Sequence, residues 1–180
     1  LQLDSFIALD FETTGLQPEV DRVIEVAAIL FKDGEPADRY TTLVNPGIPI
    51  PELIEKITGI TNNMVADAPS ESSIINEFFQ FIGDIPIVAH NTPFDLAYLE
   101  AMADRHDKKL PDRKYYDTLT LSRGMLYFQP AHNLSAVSDY FSLSTEGAHR
   151  AESDTENCGQ IFVELIEEAS SYSLDLISRI

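Results

Sequence analysis

The sequence predicts an α/β domain in which helices flank a central mixed sheet. Three predicted strands come first, between residues 5 and 44, with an Asp-Gly turn between the second and the third, which predicts an antiparallel meander. Short strands then alternate with helical stripes, an order typical of parallel strands added to the same sheet. With 180 residues, 44% of them hydrophobic, the chain is long enough to bury one core. Its apolar runs are too short to span a bilayer, so no membrane partner is expected.

The first three predicted strands cover residues 5–12, 22–31 and 38–44. The second is apolar almost throughout, which predicts a strand buried on both faces. Asp33-Gly34 predicts the tight turn between the second and third strands. Gly15 follows the first strand, and we expect it to take a positive φ that few other residues hold cheaply.

Helices are predicted over most of the remaining chain. Short helices are expected at 52–57 and, after Thr61, through residue 65, and Ser70 is expected to cap a longer one with an apolar stripe. Pro93 predicts a helix start after a parallel strand at 85–90, with Asn91 or Thr92 as its cap. Further helices are expected after a short strand at 115–118, after Asn133 and over 150–170. Residues 1–170 thus predict one domain, and 171–180 a tail or a linker to a possible further domain.

Charge and cysteine content limit the classes of function. The net charge is −18, from 12 basic and 30 acidic residues, and this weighs against broad, unaided binding to nucleic acid. Nucleic-acid chemistry would therefore need metal ions in the site, a short footprint or a tethering partner. Alternatively, the excess of acidic residues serves only to keep the protein soluble. Cys158 is the only cysteine, which fits a reducing compartment, and we expect the cytoplasm.

Two acids stand at the end of the first predicted strand. Asp10 and Glu12 are two residues apart, so their side chains point to the same face. Two carboxylates at the end of a buried strand repel each other, and a hard cation would relieve the repulsion. A solvated strand end explains the pair equally well at this point.

Two further clusters each open a predicted helix. His90 and Asp95 lie at the start of one, and His149 and Asp154 at the start of the last. Taken singly, each has a structural explanation that we favour. Asp95 could be the capping-box partner of Thr92, Asp154 could complement the helix dipole, and the histidines could be ordinary loop or strand-end residues.

Taken together and in this order, the three segments resemble the DEDD exonuclease superfamily, in its histidine subclass. The resemblance extends over about residues 4–169 and is nearest to the proofreading exonucleases of bacterial replicative polymerases. It implies a ribonuclease H-like fold. The segments that carry it are Asp10-Phe11-Glu12-Thr13-Thr14-Gly15, His90-Asn91-Thr92-Pro93-Phe94-Asp95 and His149-Arg150-Ala151-Glu152-Ser153-Asp154.

The resemblance also implies roles for individual residues. Two divalent ions, Mg²⁺ or Mn²⁺, are expected to bind to four carboxylates, those of Asp10, Glu12, Asp95 and Asp154. His149 is expected to act as general base, since the ordinary imidazole pKa lies near working pH. Substrate contacts are expected at Thr14, Leu16 and Phe94, although a Leu after a turn and a Phe in a first helical turn are more often core. Glu25 also matches a position known from the family, and we expect it to be structural and not a metal ligand.

The implied activity is metal-dependent 3′-5′ exonucleolysis of DNA, releasing nucleoside 5′-monophosphates, in replication proofreading or repair. The expected partners are a single-stranded or frayed 3′ end and a polymerase or helicase module, in cis or in trans. Two alternatives remain open here. An RNA exonuclease of the same superfamily would share all three segments, and an inactive exonuclease fold could serve as a docking module.

Overall fold

The computed structural model describes residues 4–143 and 150–171. Five strands hydrogen-bond into one sheet in the order β3-β2-β1-β4-β5, with β1 antiparallel to β2 and parallel to β4. The pairs β2–β3 and β4–β5 are antiparallel and parallel respectively, so the predicted mixed sheet is confirmed. The strands are β1 Ser5–Thr13, β2 Val23–Lys32, β3 Glu35–Leu43, β4 Ile87–Ala89 and β5 Tyr115–Asp117.

The helices lie close to their predicted positions in the sequence. Asn133 caps α6 as expected, because its side chain accepts a hydrogen bond from the Ala136 N–H at 2.9 Å. No helix within the described ranges is both long enough and apolar enough to cross a membrane. The helices are α1 Glu52–Thr58, α2 Asn62–Val65, α3 Glu71–Ile82, α4 Thr92–Arg105, α5 Thr118–Met125, α6 Leu134–Tyr140 and α7 Ala151–Ser171.

Side chains of β1 alternate between two apolar layers, as the strand period requires. Leu9 and Phe11 belong to a cluster that includes Phe78 of α3 and Leu99 of α4. Residues on the other face pack with Phe31 of β2 and with Phe162 of α7, and Phe6 and Ala8 are the members from β1. Helices therefore cover both faces of the sheet, which explains why β2 is buried on both sides.

The close approach of α7 to the sheet depends on a glycine. A Cβ placed on Gly159 would lie 2.2 Å from the ring of Phe31, well inside van der Waals contact. The helix can therefore lie directly on the β2 aromatic ring only because residue 159 has no side chain. Since α7 also carries Asp154, this contact helps to fix the height of one site acid above the sheet.

Three local predictions are wrong in detail. Gly15 does not have a positive φ. Its lack of a side chain matters for space instead, because a Cβ there would lie 2.3 Å from the Asp21 carboxylate. Ser70 stands at the N-cap of α3 but makes no capping bond to the backbone, and its hydroxyl contacts those of Ser72 and Ser73. Asn91 is the N-cap residue of α4, yet its side chain does not cap the helix either.

Candidate active site

The edge of the sheet at the C-terminal end of β1 carries the first two candidate ligands. Asp10 lies opposite Ala27 of β2, and Glu12 lies opposite Glu25. The register shifts between Glu12 and the next residue, so the strand is irregular directly after the second acid. Because β4 and β5 run parallel to β1, their C-terminal ends reach the same edge.

Asp95 comes to this edge from the first turn of α4 and is almost fully buried. Its Oδ1 accepts a hydrogen bond from the Phe11 N–H of β1 at 3.2 Å, between the two strand acids. Asp95 therefore does not serve as the capping-box partner of Thr92, because its hydrogen bond goes to β1. The start of α4 is capped from another strand, since Asp117 Oδ1 accepts from the N–H groups of Asn91 and Thr92 at 2.8 and 3.4 Å.

Glu25 fixes the start of α7 beside the same edge. This buried carboxylate accepts a hydrogen bond from the Ala151 N–H at 3.1 Å and pairs with Arg150 at 2.7 Å. An acid at a helix N-terminus satisfies an otherwise unpaired N–H and complements the helix dipole. Glu25 is thus structural, and it anchors the first turn of the helix that carries Asp154. An acid inside an apolar strand was the sequence signal for this role.

The site acids influence one another electrostatically. Burial, followed by the charges of Asp154 and Glu25, raises the pKa of Asp10 to about 7. Burial, followed by the charges of Asp10 and Asp154, raises the pKa of Glu12 to about 8. Burial also raises the pKa of Asp95, and the charge of Asp10 adds to that shift. The fold therefore brings all four acids within range of mutual repulsion although they come from three distant parts of the chain.

The chemistry of these acids suits a divalent cation. Carboxylate oxygens are the ligands that Mg²⁺ and Mn²⁺ prefer, and a cation would offset both the burial and the mutual repulsion that raise the pKa values. Over residues 4–143 and 150–171, however, no three His, Cys, Asp or Glu side chains are already arranged as a metal site. The donor set thus fits such ions by charge and chemistry, and binding would require the carboxylates to converge further.

The remaining predicted residues have different surroundings. His149, the expected general base, lies outside the described residues, directly before the anchored Arg150. Thr14 is buried, and its hydroxyl donates to Asp21 Oδ1 and accepts from the Arg22 N–H, both at 3.0 Å. Phe94 is half-buried and packs on Tyr98, with ring centroids 5.1 Å apart.

Leu16 is 80% exposed, so the view of this residue as ordinary core is wrong. The loop that presents it is tied down on both sides. The Tyr98 hydroxyl of α4 donates to the Gly15 carbonyl at 2.8 Å, and Arg105 donates to the Pro18 carbonyl at 3.0 Å. Asp21 closes the loop by accepting from the Gln17 N–H at 2.9 Å. An apolar side chain is thus held in solvent by a well-bonded loop that follows β1. We call the end of the sheet where Asp10, Glu12, Asp95 and Asp154 come together the acid edge.

Comparison with known proteins shows which family has this architecture. A family model described as exonuclease, RNase_T, matches residues 7–162, most of the chain. This chain belongs to the exonuclease family. The predicted membership of an exonuclease superfamily is thereby confirmed.

Two curated relatives illustrate the family. The 3′-5′ exonuclease DinG of Bacillus subtilis is 35% identical over 164 residues, which are 91% of this chain and 18% of that protein. The PolC-type DNA polymerase III of Thermotoga maritima is 34% identical over 175 residues, 97% of this chain and 13% of that protein. The chain thus spans less than a fifth of the length of these relatives.

Solved structures agree on the fold. Exonuclease X, in complex with 5′-overhanging duplex DNA, matches with a TM-score of 0.70 and 25% identity over 95% of each chain. The nuclease domain of 3′hExo, a DEDDh family member bound to rAMP, matches with a TM-score of 0.77 and 19% identity, over 95% of this chain and 96% of that one. The predicted ribonuclease H-like architecture is confirmed.

Proposed function

We propose that this chain is a metal-dependent exonuclease domain that removes nucleoside 5′-monophosphates from the 3′ end of DNA. The observation that carries the proposal is the convergence of four mutually repelling carboxylates at one edge of the sheet. A merely structural site would have no need to hold acids in a state that burial and repulsion both disfavour. The DinG and PolC relatives favour DNA and a polymerase or helicase setting.

The proposed ligands of two divalent ions are Asp10, Glu12, Asp95 and Asp154. When bound, such a pair would lower the pKa of an attacking water and stabilise negative charge on the scissile phosphate. His149 is proposed to take the proton from that water as it attacks. The neighbouring Arg150 is held by Glu25, so the ion pair between them would limit the positions open to the general base.

The remaining proposed roles concern the substrate end. Thr14 and Phe94 would line the pocket for the terminal nucleotide, and Leu16 would wedge against the last bases. The exposed position of Leu16 on a bonded loop supports this role, because an apolar side chain there has no core to fill. Residues 1–170 are proposed as the catalytic domain, which agrees with the family match over 7–162.

The decisive experiment follows a 5′-labelled single-stranded DNA oligonucleotide and an RNA of the same sequence with Mg²⁺. We expect the DNA to shorten stepwise from its 3′ end, nucleoside 5′-monophosphates to accumulate, and EDTA to stop the reaction. Asp10→Asn and Asp154→Asn should each lower kcat by about a hundredfold or more. Asp67→Asn removes an exposed carboxylate from the loop before α3 and should leave kcat unchanged.

Several outcomes would contradict the proposal. Hydrolysis that persists in EDTA, or full activity of Asp154→Asn with an intact fold by circular dichroism, would rule out the carboxylate site. Faster cleavage of the RNA would assign the chain to the RNA-trimming alternative. The docking-module alternative would be right if neither oligonucleotide were shortened and no divalent ion bound by calorimetry.

A further inference from the structure

A pocket of about 480 Å³ opens beside the acid edge and is not explained by the roles given so far. Its walls come from the end of β4, from α5 and from the segment that joins α5 to α6. His90 forms part of the wall, with Nδ1 2.9 Å from Thr118 Oγ1 and Nε2 3.0 Å from the His132 carbonyl. His132 in turn reaches the Leu126 carbonyl through Nε2 at 3.0 Å. The pocket is therefore held in shape by its own hydrogen bonds.

The position of the pocket links it to the site acids. Asn91 lines it and is also the N-cap residue of α4, four residues before Asp95. A rise of 1.5 Å per residue separates the two by about 6 Å along the helix axis. The pocket therefore lies within reach of the units that adjoin a chain end placed at the acids.

The pocket carries a positive charge that has no partner among the described residues. Arg123 of α5 lines it, and within residues 4–143 and 150–171 its guanidinium makes no hydrogen bond or ion pair. An unpaired guanidinium in a preformed pocket is suited to a phosphate.

Exposed aromatic side chains lie on the same connecting segment. Tyr127 is 80% exposed and Phe128 is 59% exposed, and their ring centroids are 5.7 Å apart. Phe128 also contacts Tyr140 of α6, with centroids 6.1 Å apart. Exposed aromatic rings on a segment that also lines a cationic pocket are a combination by which proteins hold unpaired nucleic-acid strands, through stacking on bases and attraction of phosphates.

We propose that this pocket and the Tyr127–Phe128 pair bind the unpaired nucleotides immediately 5′ of the one being removed. Arg123 would face a backbone phosphate, and the two rings would stack on neighbouring bases. The inference rests on the proposed function, because the direction of the strand follows from a 3′ end at the acids. It gives a chain with a net charge of −18 a specific cationic contact for the strand.

The test compares how fast the 180-residue protein cleaves two substrates. The p-nitrophenyl ester of thymidine 5′-monophosphate supplies a single nucleotide, and an eight-residue oligothymidylate also reaches the proposed subsite. Arg123→Gln and Tyr127→Ala should each lower the ratio of kcat/KM for the oligonucleotide to kcat/KM for the ester about tenfold. Tyr127→Phe keeps the ring and should retain the wild-type ratio. The matched control for charge is Lys114→Gln, an exposed lysine just before β5 at the opposite end of that strand, and it should not change the ratio.

Direct binding provides an independent readout. Fluorescence anisotropy of the labelled oligothymidylate in Ca²⁺ should show that Arg123→Gln flattens the plot of log Kd against log salt by about 0.7, the value for one lost contact on a single strand. An unchanged ratio together with an unchanged slope would overturn the subsite and leave this surface for a protein contact. Equal losses on ester and oligonucleotide would overturn it too, since they indicate damage to the acid site. If the wild type cleaved neither substrate, the proposed function would fail, and the anisotropy would still decide the subsite.

Discussion

Single carboxylates at the acid edge have pKa values far from their ordinary range, and the direction of these shifts determines how stability depends on pH. The pKa of Asp10 is raised to about 7 and that of Glu12 to about 8, from ordinary values near 4 in an unfolded chain. The folded state therefore binds more protons than the unfolded state between about pH 4 and pH 8. In that window the free energy of unfolding falls as pH rises.

We therefore predict that the metal-free protein loses stability between pH 5 and pH 8. Urea unfolding followed by circular dichroism in EDTA should give a midpoint that decreases steadily over this range. Asp10→Asn removes one of the shifted groups and should make the decrease smaller, because Asn carries no charge at any pH. A midpoint that rose towards pH 8 in EDTA would contradict the shifts, and saturating Mg²⁺ should raise the pH 8 midpoint in the wild type.

Two substitutions of Glu25 should separate the effect of losing its charge from the effect of losing its hydrogen-bond acceptor on the free energy of unfolding. Glu25→Ala leaves the buried Ala151 N–H without its partner, which should cost about 1–3 kcal/mol of unfolding free energy. Glu25→Gln keeps an oxygen acceptor and gives up the ion pair with the half-exposed Arg150, so it should cost less. Urea unfolding at pH 7 measures both, and an equal cost for the two variants would show that the N–H contact contributes nothing.

Helix starts are the critical features at the scale of the element. Asp117, the last residue of β5, caps two helices at once. Its carboxylate accepts from the Asn91 N–H before α4 at 2.8 Å and from the Leu119 N–H in α5 at 3.1 Å. These hydrogen bonds, with one from the Thr120 hydroxyl, hold the pKa of Asp117 below its usual range although burial opposes the shift. One strand end thus sets the position of the helix that carries Asp95.

Loss of this shared cap should destabilise the fold more than loss of an ordinary one. We predict that Asp117→Ala lowers the unfolding free energy by about 2 kcal/mol, near the upper end for a single cap, because two helices lose their acceptor together. Asp117→Asn should recover most of it, since an amide oxygen can still accept. Because the pKa of Asp117 is lowered in the folded state, its contribution should be lost as pH falls below about 4. A cost for Asp117→Ala within error of zero would show that water replaces the cap.

For the whole molecule, the apolar core places the stable unit within the proposed domain. Among the described residues, the main clusters draw their members from residues 6–166, and α7 joins the sheet to α5 and α6. We predict that a chain ending at residue 171 unfolds in urea with the midpoint and cooperativity of the 180-residue chain. Loss of more than about 1 kcal/mol on removing 172–180 would show that the last residues belong to the domain and are not a linker.

Part of this architecture could be predicted from residues alone. Hydrophobic periodicity, turn residues and helix-breaking residues determine where strands and helices begin and end. The meander, the Asp33-Gly34 turn and the long last helix therefore agree with expectation. Spacing along a strand also determines that Asp10 and Glu12 share a face. The resemblance of three segments to a family then predicted which acids would meet.

The tertiary structure decided what local patterns leave open. Asp95 accepts a hydrogen bond from Phe11 of β1, and the caps of α4 and α7 come from Asp117 and Glu25, all three contacts being remote in sequence. Gly15 is required for space beside Asp21 and not for its φ. In each case the partner is brought close by sheet pairing and layer packing, and such contacts between distant parts of the chain leave no periodic signal in the sequence that a local reading could detect.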